Sequence, residues 1–101
     1  MKKLILILTI VFTTLLMGSN LDDARKAEER GDYKEAITLY SKACNEDNNG
    51  KACLLVGSIF MNGNMTETNL LIALIYFKKA CDNNENMGCE FYSILEKFLR
   101  K

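Results

Sequence analysis

The chain of 101 residues contains no histidine, no proline and no tryptophan. Without histidine it cannot build a Ser-His-Asp or Cys-His catalytic arrangement, and it lacks the histidine ligands of zinc hydrolases. Without proline, and without a block rich in glycine and serine, no linker divides the chain beyond its first residues. These absences exclude hydrolysis that depends on histidine and indicate one small domain.

A concentrated basic surface is also missing. The 13 lysines and arginines are balanced by 13 aspartates and glutamates, and the two signs alternate along the chain. Nucleic acids and anionic membranes both select a clustered positive surface, so neither is expected as a partner. No glycine-rich phosphate loop is present either, and no cofactor is predicted.

The first residues have the pattern of a signal peptide. Lys2 and Lys3 precede an apolar run from Leu4 to Met17, and the small residues Gly18 and Ser19 follow. The run is shorter than the roughly 18 apolar residues that a membrane-spanning helix needs, so an uncleaved N-terminal anchor is the weaker alternative. We therefore predict a signal peptide over residues 1–19 and an exported domain, secreted or periplasmic, over residues 20–101, with no membrane contact after cleavage.

Apolar residues then recur at spacings of three and four, which predicts helices. A charged first helix is predicted over residues 21–30, ending at Gly31. Four further helices are separated by turns rich in Asn, Asp and Gly. Residues 70–77 are apolar all round, which predicts a helix covered on both sides. Glu28 and Glu29 are interpreted as part of a solvated helix face.

The chain repeats itself with a period of about 37 residues. The two Lys-Ala-Cys triplets, which end at Cys44 and Cys81, align the segments that begin at Glu35 and Ile72 with one deletion. Each unit contains two helices, which predicts an α/α solenoid. A metal site, a redox pair and a disulfide framework are the candidate uses of the four cysteines.

The segments from Leu54 to Gly63 and from Ile72 to Cys81 resemble the Sel1-like repeat, a relative of the tetratricopeptide repeat. With its cysteines, the chain is similar to the Helicobacter cysteine-rich protein family. Asn69 departs from the family's usual acidic residue, and Ile72 from its basic one. The resemblance implies an all-α fold, a short solenoid of antiparallel helical hairpins with about two units. The positions that carry it are Cys44, Cys53, Gly57, Phe60, Gly63, Ala73, Tyr76, Phe77, Ala80, Cys81 and Cys89.

The resemblance also implies a disulfide across each hairpin, between Cys44 and Cys53 and between Cys81 and Cys89. Only these local pairs treat the two hairpins alike, and an exported chain meets an oxidising environment. Zinc binding and thioredoxin-like redox chemistry are the weaker alternatives, because neither cysteine spacing is C-x-x-C and histidine is absent. No metal is therefore predicted.

Two classes of function follow. The residues themselves favour a binding module for a protein, a peptide or a cell-wall fragment, because the S-x-x-K and K-T-G elements of serine beta-lactamases are absent. The resemblance implies penicillin binding and slow beta-lactam hydrolysis, so whether the chain is an enzyme stays open. No catalytic residue is assigned. Ser58 and Ser93, taken as equivalent in the two units, are the hydroxyls to test.

The aromatic residues at helical spacing are interpreted mainly as packing between hairpins. The last predicted helix shows little sign of a polar cap. We therefore predict that the C-terminal face binds an apolar surface, either a second copy of the chain or a partner protein. Its apolar residues are Phe91, Ile94, Leu95, Phe98 and Leu99.

Overall fold

The computed structural model describes residues 20–100, which form five helices and no strand. The helices are α1 (Asn20–Glu29), α2 (Tyr33–Asn45), α3 (Gly50–Asn62), α4 (Leu70–Asp82) and α5 (Asn86–Leu99). The predicted all-α fold of helical hairpins is confirmed. The first helix begins and ends one residue before its predicted bounds. The predicted signal peptide, residues 1–19, lies outside the described residues.

The polar turns start the helices that follow them. The side-chain oxygens of Asp32, Asn49 and Asn69 accept hydrogen bonds from backbone N–H groups three residues later. Each bond satisfies one of the amide groups that the first turn of a helix leaves without a partner. The asparagines and aspartates that mark turns in the sequence therefore also fix where α2, α3 and α4 begin.

Left-handed residues end the helices. Gly31, two residues after the end of α1, has φ of 79°. Gly31 N donates to Glu28 O and Asp32 N donates to Ala27 O, which is the Schellman pattern. Asn84, with φ of 69°, ends α4 in the same pattern. The short turns that result reverse the chain, so that successive helices run antiparallel.

Helices that are adjacent in the chain make the main contacts, as expected of a solenoid. Small residues bring the helix axes close together. A Cβ atom added to Gly57 on α3 would lie 2.6 Å from the ring of Phe77 on α4, which is fully buried. On its other side Phe77 packs against Phe91 of α5, with ring centroids 5.2 Å apart. Phe77 therefore joins three successive helices into one core.

Equivalent helices of the two units are also linked by polar contacts. Lys79 Nζ on α4 donates to Asn45 Oδ1 at the end of α2 over 2.7 Å, and Asn45 Nδ2 donates to Tyr76 Oη over 3.2 Å. The Lys79 ammonium also lies 4.9 Å from the centroid of the Tyr76 ring. These contacts fix the position of the second unit relative to the first.

The apolar stretch of α4 is covered on both sides, as predicted, but its outer edge is exposed. Leu71 and Ile75 expose 66% and 53% of their surfaces, although α3 and α5 pack on α4. A solenoid helix is covered by its neighbours along two sides and keeps an outer edge in solvent. The apolar run therefore includes one exposed line in addition to the two buried ones.

Candidate functional site

Two disulfides hold the helix junctions. Cys44 on α2 is bonded to Cys53 on α3, with Cα atoms 4.7 Å apart. Cys81 on α4 is bonded to Cys89 on α5, with Cα atoms 4.6 Å apart. At the second junction a Cβ atom on Gly88 would lie 2.6 Å from that of Ala80, so the helices touch there. The cysteines therefore have a structural use: one pair holds α2 to α3, and the other holds α4 to α5.

A cleft lies between the first three helices and the turn after α3, and we call it the tyrosine cleft. It encloses about 330 Å³, a volume at the lower end of small-molecule and peptide sites. Apolar side chains from α3 and the following turn line one part of it, and hydroxyl, amide and carboxylate groups line the rest. The lining residues are Glu28, Tyr33, Tyr40, Leu55, Ser58, Ile59, Asn62, Asn64 and Met65.

A tyrosine–glutamate pair forms the polar centre of the cleft. Tyr40 is 3% exposed, and its hydroxyl donates to Glu28 Oε1 over 2.8 Å. Burial, followed by the hydrogen bond to the Glu28 carboxylate and its negative charge, raises the pKa of Tyr40 to about 12. At physiological pH Tyr40 is therefore a neutral hydrogen-bond donor, and its hydroxyl does not act as a general base.

The charges beside the cleft are mainly acidic. A second, more open depression shares Glu28, Tyr33 and Tyr40 with the tyrosine cleft and adds Arg25 and Glu29. One arginine and two glutamates, all on α1, therefore line this end of the joint surface, which favours a ligand that carries positive charge there.

The two serines singled out from the sequence lie in different environments. Ser58 lines the tyrosine cleft, whereas Ser93 lies on exposed α5 in a shallow depression beside Cys89. Their predicted equivalence is wrong. Ser58 follows Cys53 by five positions and Ser93 follows Cys89 by four, which turns the two side chains to different sides of their helices.

Neither serine has a hydrogen-bonded base beside it in the part of the chain that the structure describes. No hydrogen bond joins either hydroxyl to another residue in the described range 20–100, and no lysine or arginine lines the tyrosine cleft. A nucleophilic serine needs an adjacent base to remove its proton. What the cleft offers instead is hydrogen-bonding groups beside an apolar wall, an arrangement that serves binding.

Several groups of this site were missed by the sequence reasoning. Glu28 is exposed, as predicted for a solvated helix face, but its hydrogen bond with the buried Tyr40 was not predicted, and Asn62, Asn64 and Met65 were not expected to line a cleft. One signal was available: Tyr40 stands where the second unit has the buried Phe77, and a buried tyrosine hydroxyl requires a hydrogen-bond partner. Searching one helix upstream for an acceptor would have indicated Glu28.

The described range 20–100 holds no group of three or more Cys, Asp or Glu side chains that could hold a metal ion. None of its helices combines the length and the apolar character that crossing a membrane requires.

Comparison with known proteins identifies the repeat. The Sel1 repeat matches residues 23–48 and 50–85, more than half of the chain. Neither the curated proteins nor the solved structures include a significant match. The first matched unit spans α1 and α2 and the second spans α3 and α4, so both disulfides cross the boundaries of the units. The chain belongs to the Sel1 repeat family.

Proposed function

We propose that the chain is an exported interaction module that binds a short peptide segment of a partner protein in the tyrosine cleft. Sel1 repeats generally mediate protein–protein interaction, which supports binding as the class of function. The observation that carries the proposal is the composition of the cleft, where Tyr33, Ser58 and Asn62 surround a wall of apolar side chains. Sites for peptides and small ligands combine an apolar wall with a few polar groups that set orientation.

The chemistry of the cleft favours a peptide with a basic residue beside an apolar one. Leu55, Ile59 and Met65 provide apolar contact, and the Asn62 and Asn64 amides can both donate to and accept from a peptide backbone. Glu28 and Glu29 outnumber Arg25 at the open end, so a lysine or arginine of the peptide is attracted there.

The proposal is tested with two dye-labelled peptides that differ in one residue, acetyl-Gly-Leu-Lys-Leu-Gly-amide and its counterpart with glutamate in place of lysine. Anisotropy should show saturable binding of the lysine peptide and weaker binding of the glutamate peptide. Asn62→Ala and Tyr33→Ala should weaken binding, because both side chains line the cleft. Ser93→Ala is the matched control outside the cleft. Equal affinity for both peptides, or loss of binding in the control, would refute this assignment.

Export is the second part of the proposal. Two disulfides in a small domain fit an oxidising compartment, extracellular or periplasmic. The signal-peptide pattern of residues 1–19 supports the same location. Fractionation of cells that express the full chain, with N-terminal sequencing of the product, should recover a processed chain outside the cytoplasm. A full-length reduced chain in the cytoplasm would contradict export.

The cysteine pattern supports membership of the Helicobacter cysteine-rich family within the Sel1 repeat proteins. Membership would imply a cell-wall or beta-lactam ligand and slow beta-lactam hydrolysis. One observation favours a shared site, since the Ser58 hydroxyl lies in the tyrosine cleft. A cell-wall peptide or a penicillin, which mimics one, would bind among the same polar groups.

Nitrocefin separates the two classes. The binding module proposed here gives no turnover with the disulfide-intact chain, and Ser58→Ala and Ser93→Ala do not differ from it. Repeated turnover that only Ser58→Ala abolishes would establish a hydrolase acting in the cleft. Turnover that only Ser93→Ala abolishes would place the reaction on α5.

A further inference from the structure

The outer surface of α5 carries an exposed apolar stripe, formed by Met87, Ile94 and Phe98. These side chains expose 51%, 65% and 65% of their surfaces. Their spacing of seven and four residues places them on one side of the helix. Gly88 and Leu95, each one position further along, lie about 100° around the helix and are buried. The stripe therefore borders the face by which α5 packs on α4.

The stripe is not a requirement of the repeat. Cys53 and Cys89 mark corresponding positions in α3 and α5. Counted from these cysteines, the positions of Met87, Ile94 and Phe98 correspond in α3 to the polar residues Lys51, Ser58 and Asn62. The same face is therefore polar in one unit and apolar in the next, which points to a use for the apolar side chains outside the solenoid packing.

Two opposite charges flank the stripe along one edge. Glu90 lies toward the beginning of α5 and Lys97 toward its end, and both are exposed. Neither belongs to an ion pair within residues 20–100. Glu90, Ser93 and Lys97 form a polar line beside the apolar one, so the polar residues of α5 lie along one edge and do not cap its outer face.

We propose that α5 packs antiparallel against α5 of a second copy of the chain. A two-fold axis between Ser93 and Ile94 sets Glu90 of each copy opposite the partner's Lys97, whereas a parallel pair would set like charges together. Ile94 then lies close to the axis. Beside it lies a depression of about 420 Å³ that Cys89, Glu90, Ser93 and Ile94 line, on the same side of the stripe as Glu90 and Lys97.

The opposite end of the solenoid does not offer an alternative surface for the same stripe. Apart from Ala24 and Ala27, which are buried against α2, α1 presents mainly charged residues, among them Arg25, Lys26 and Glu29. Head-to-tail stacking of α5 on α1 would remove these charges from water without apolar contact in return. Self-complementary pairing of the same face is the arrangement that the charges favour.

One pair of helices covers less surface than the roughly 1,200 Å² of a standard stable interface, so we expect a weak dimer that depends on concentration. Sedimentation equilibrium of the full chain, expressed for export and purified with both disulfides, measures its dissociation constant. Phe98→Ser should raise this constant by about tenfold or more. Leu71→Ser is the matched control, since it removes an apolar side chain of equal exposure from α4.

Charge reversal tests the orientation. Glu90→Lys and Lys97→Glu should each weaken the dimer, and the double variant should restore it because opposite charges face each other again. A chain that stays monomeric at every accessible concentration would overturn the proposal and would indicate that the stripe binds another protein. The proposal would also fail if the double variant dimerised no more tightly than the single variants, or if Leu71→Ser weakened the dimer as much as Phe98→Ser. No peptide is present in these measurements, so their outcome is independent of the tyrosine cleft.

Discussion

Replacing Tyr40 by phenylalanine should change both the stability of the domain and the dependence of that stability on pH. The ring stays buried in either case, so the substitution removes only the hydroxyl that donates to Glu28 over 2.8 Å. Glu28 is exposed, and water can take the place of the lost donor. Near neutral pH we therefore expect a loss of about 0.5–1.5 kcal/mol, the net value of one such hydrogen bond.

At alkaline pH the difference should shrink or reverse. The pKa of Tyr40 is raised from 10.0 in the unfolded chain to about 12 in the fold, mainly by burial. A raised pKa contributes stability that is complete below the unfolded value and is lost as the pH rises through the folded one. At about pH 11 the unfolded state is mostly ionised and the folded state is not, which costs the wild type about 1.4 kcal/mol.

The assay is urea unfolding followed by circular dichroism, with oxidised protein, at several pH values from neutral to about pH 11. The difference between wild type and Tyr40→Phe isolates this hydroxyl, since every other titrating group is common to both proteins. A difference that stays constant across this range would refute the assigned pKa and with it the description of the tyrosine–glutamate pair.

Three further predictions concern the scaffold. Gly57→Ala should destabilise the domain by about 1–3 kcal/mol in urea unfolding, because its Cβ would meet the buried ring of Phe77, while Ser58→Ala changes little. Asn69→Ala removes the cap of α4 and should cost about 0.5–2 kcal/mol in the same assay; Asn69→Asp, which keeps an acceptor, should not. Replacing Cys81 and Cys89 together by alanine should cost roughly 2–3 kcal/mol by loop entropy, and an unchanged melting temperature would contradict this.

Local chemistry made much of the fold predictable. Apolar spacing identified all five helices, and the side chains that favour turns also cap them, as Asn69 does for α4. The repeated Lys-Ala-Cys triplets indicated a solenoid, which the paired helices and the Sel1 match confirm. These features depend on residues that are close in the sequence, so periodicity is enough to find them.

The tyrosine cleft was not predictable in the same way. Its lining comes from three helices and a turn, and the bond from Tyr40 to Glu28 depends on how α1 packs on α2. Helical spacing shows which side of a helix is apolar. It does not show which polar side chain of the next helix contacts that side. The mistaken equivalence of Ser58 and Ser93 has a different cause, because counting from the aligned Cys53 and Cys89 in the sequence already pairs Ser58 with Ile94.

The central claim is that the tyrosine cleft binds a basic and apolar peptide. Titration of the ¹⁵N-labelled, disulfide-intact chain with acetyl-Gly-Leu-Lys-Leu-Gly-amide tests it most directly, because each backbone amide reports separately. The account predicts saturable shifts concentrated at Tyr33, Ser58, Asn62 and Asn64, with the amides of α5 unchanged. Chemical-shift changes confined to α5, or no changes at millimolar peptide, would contradict it.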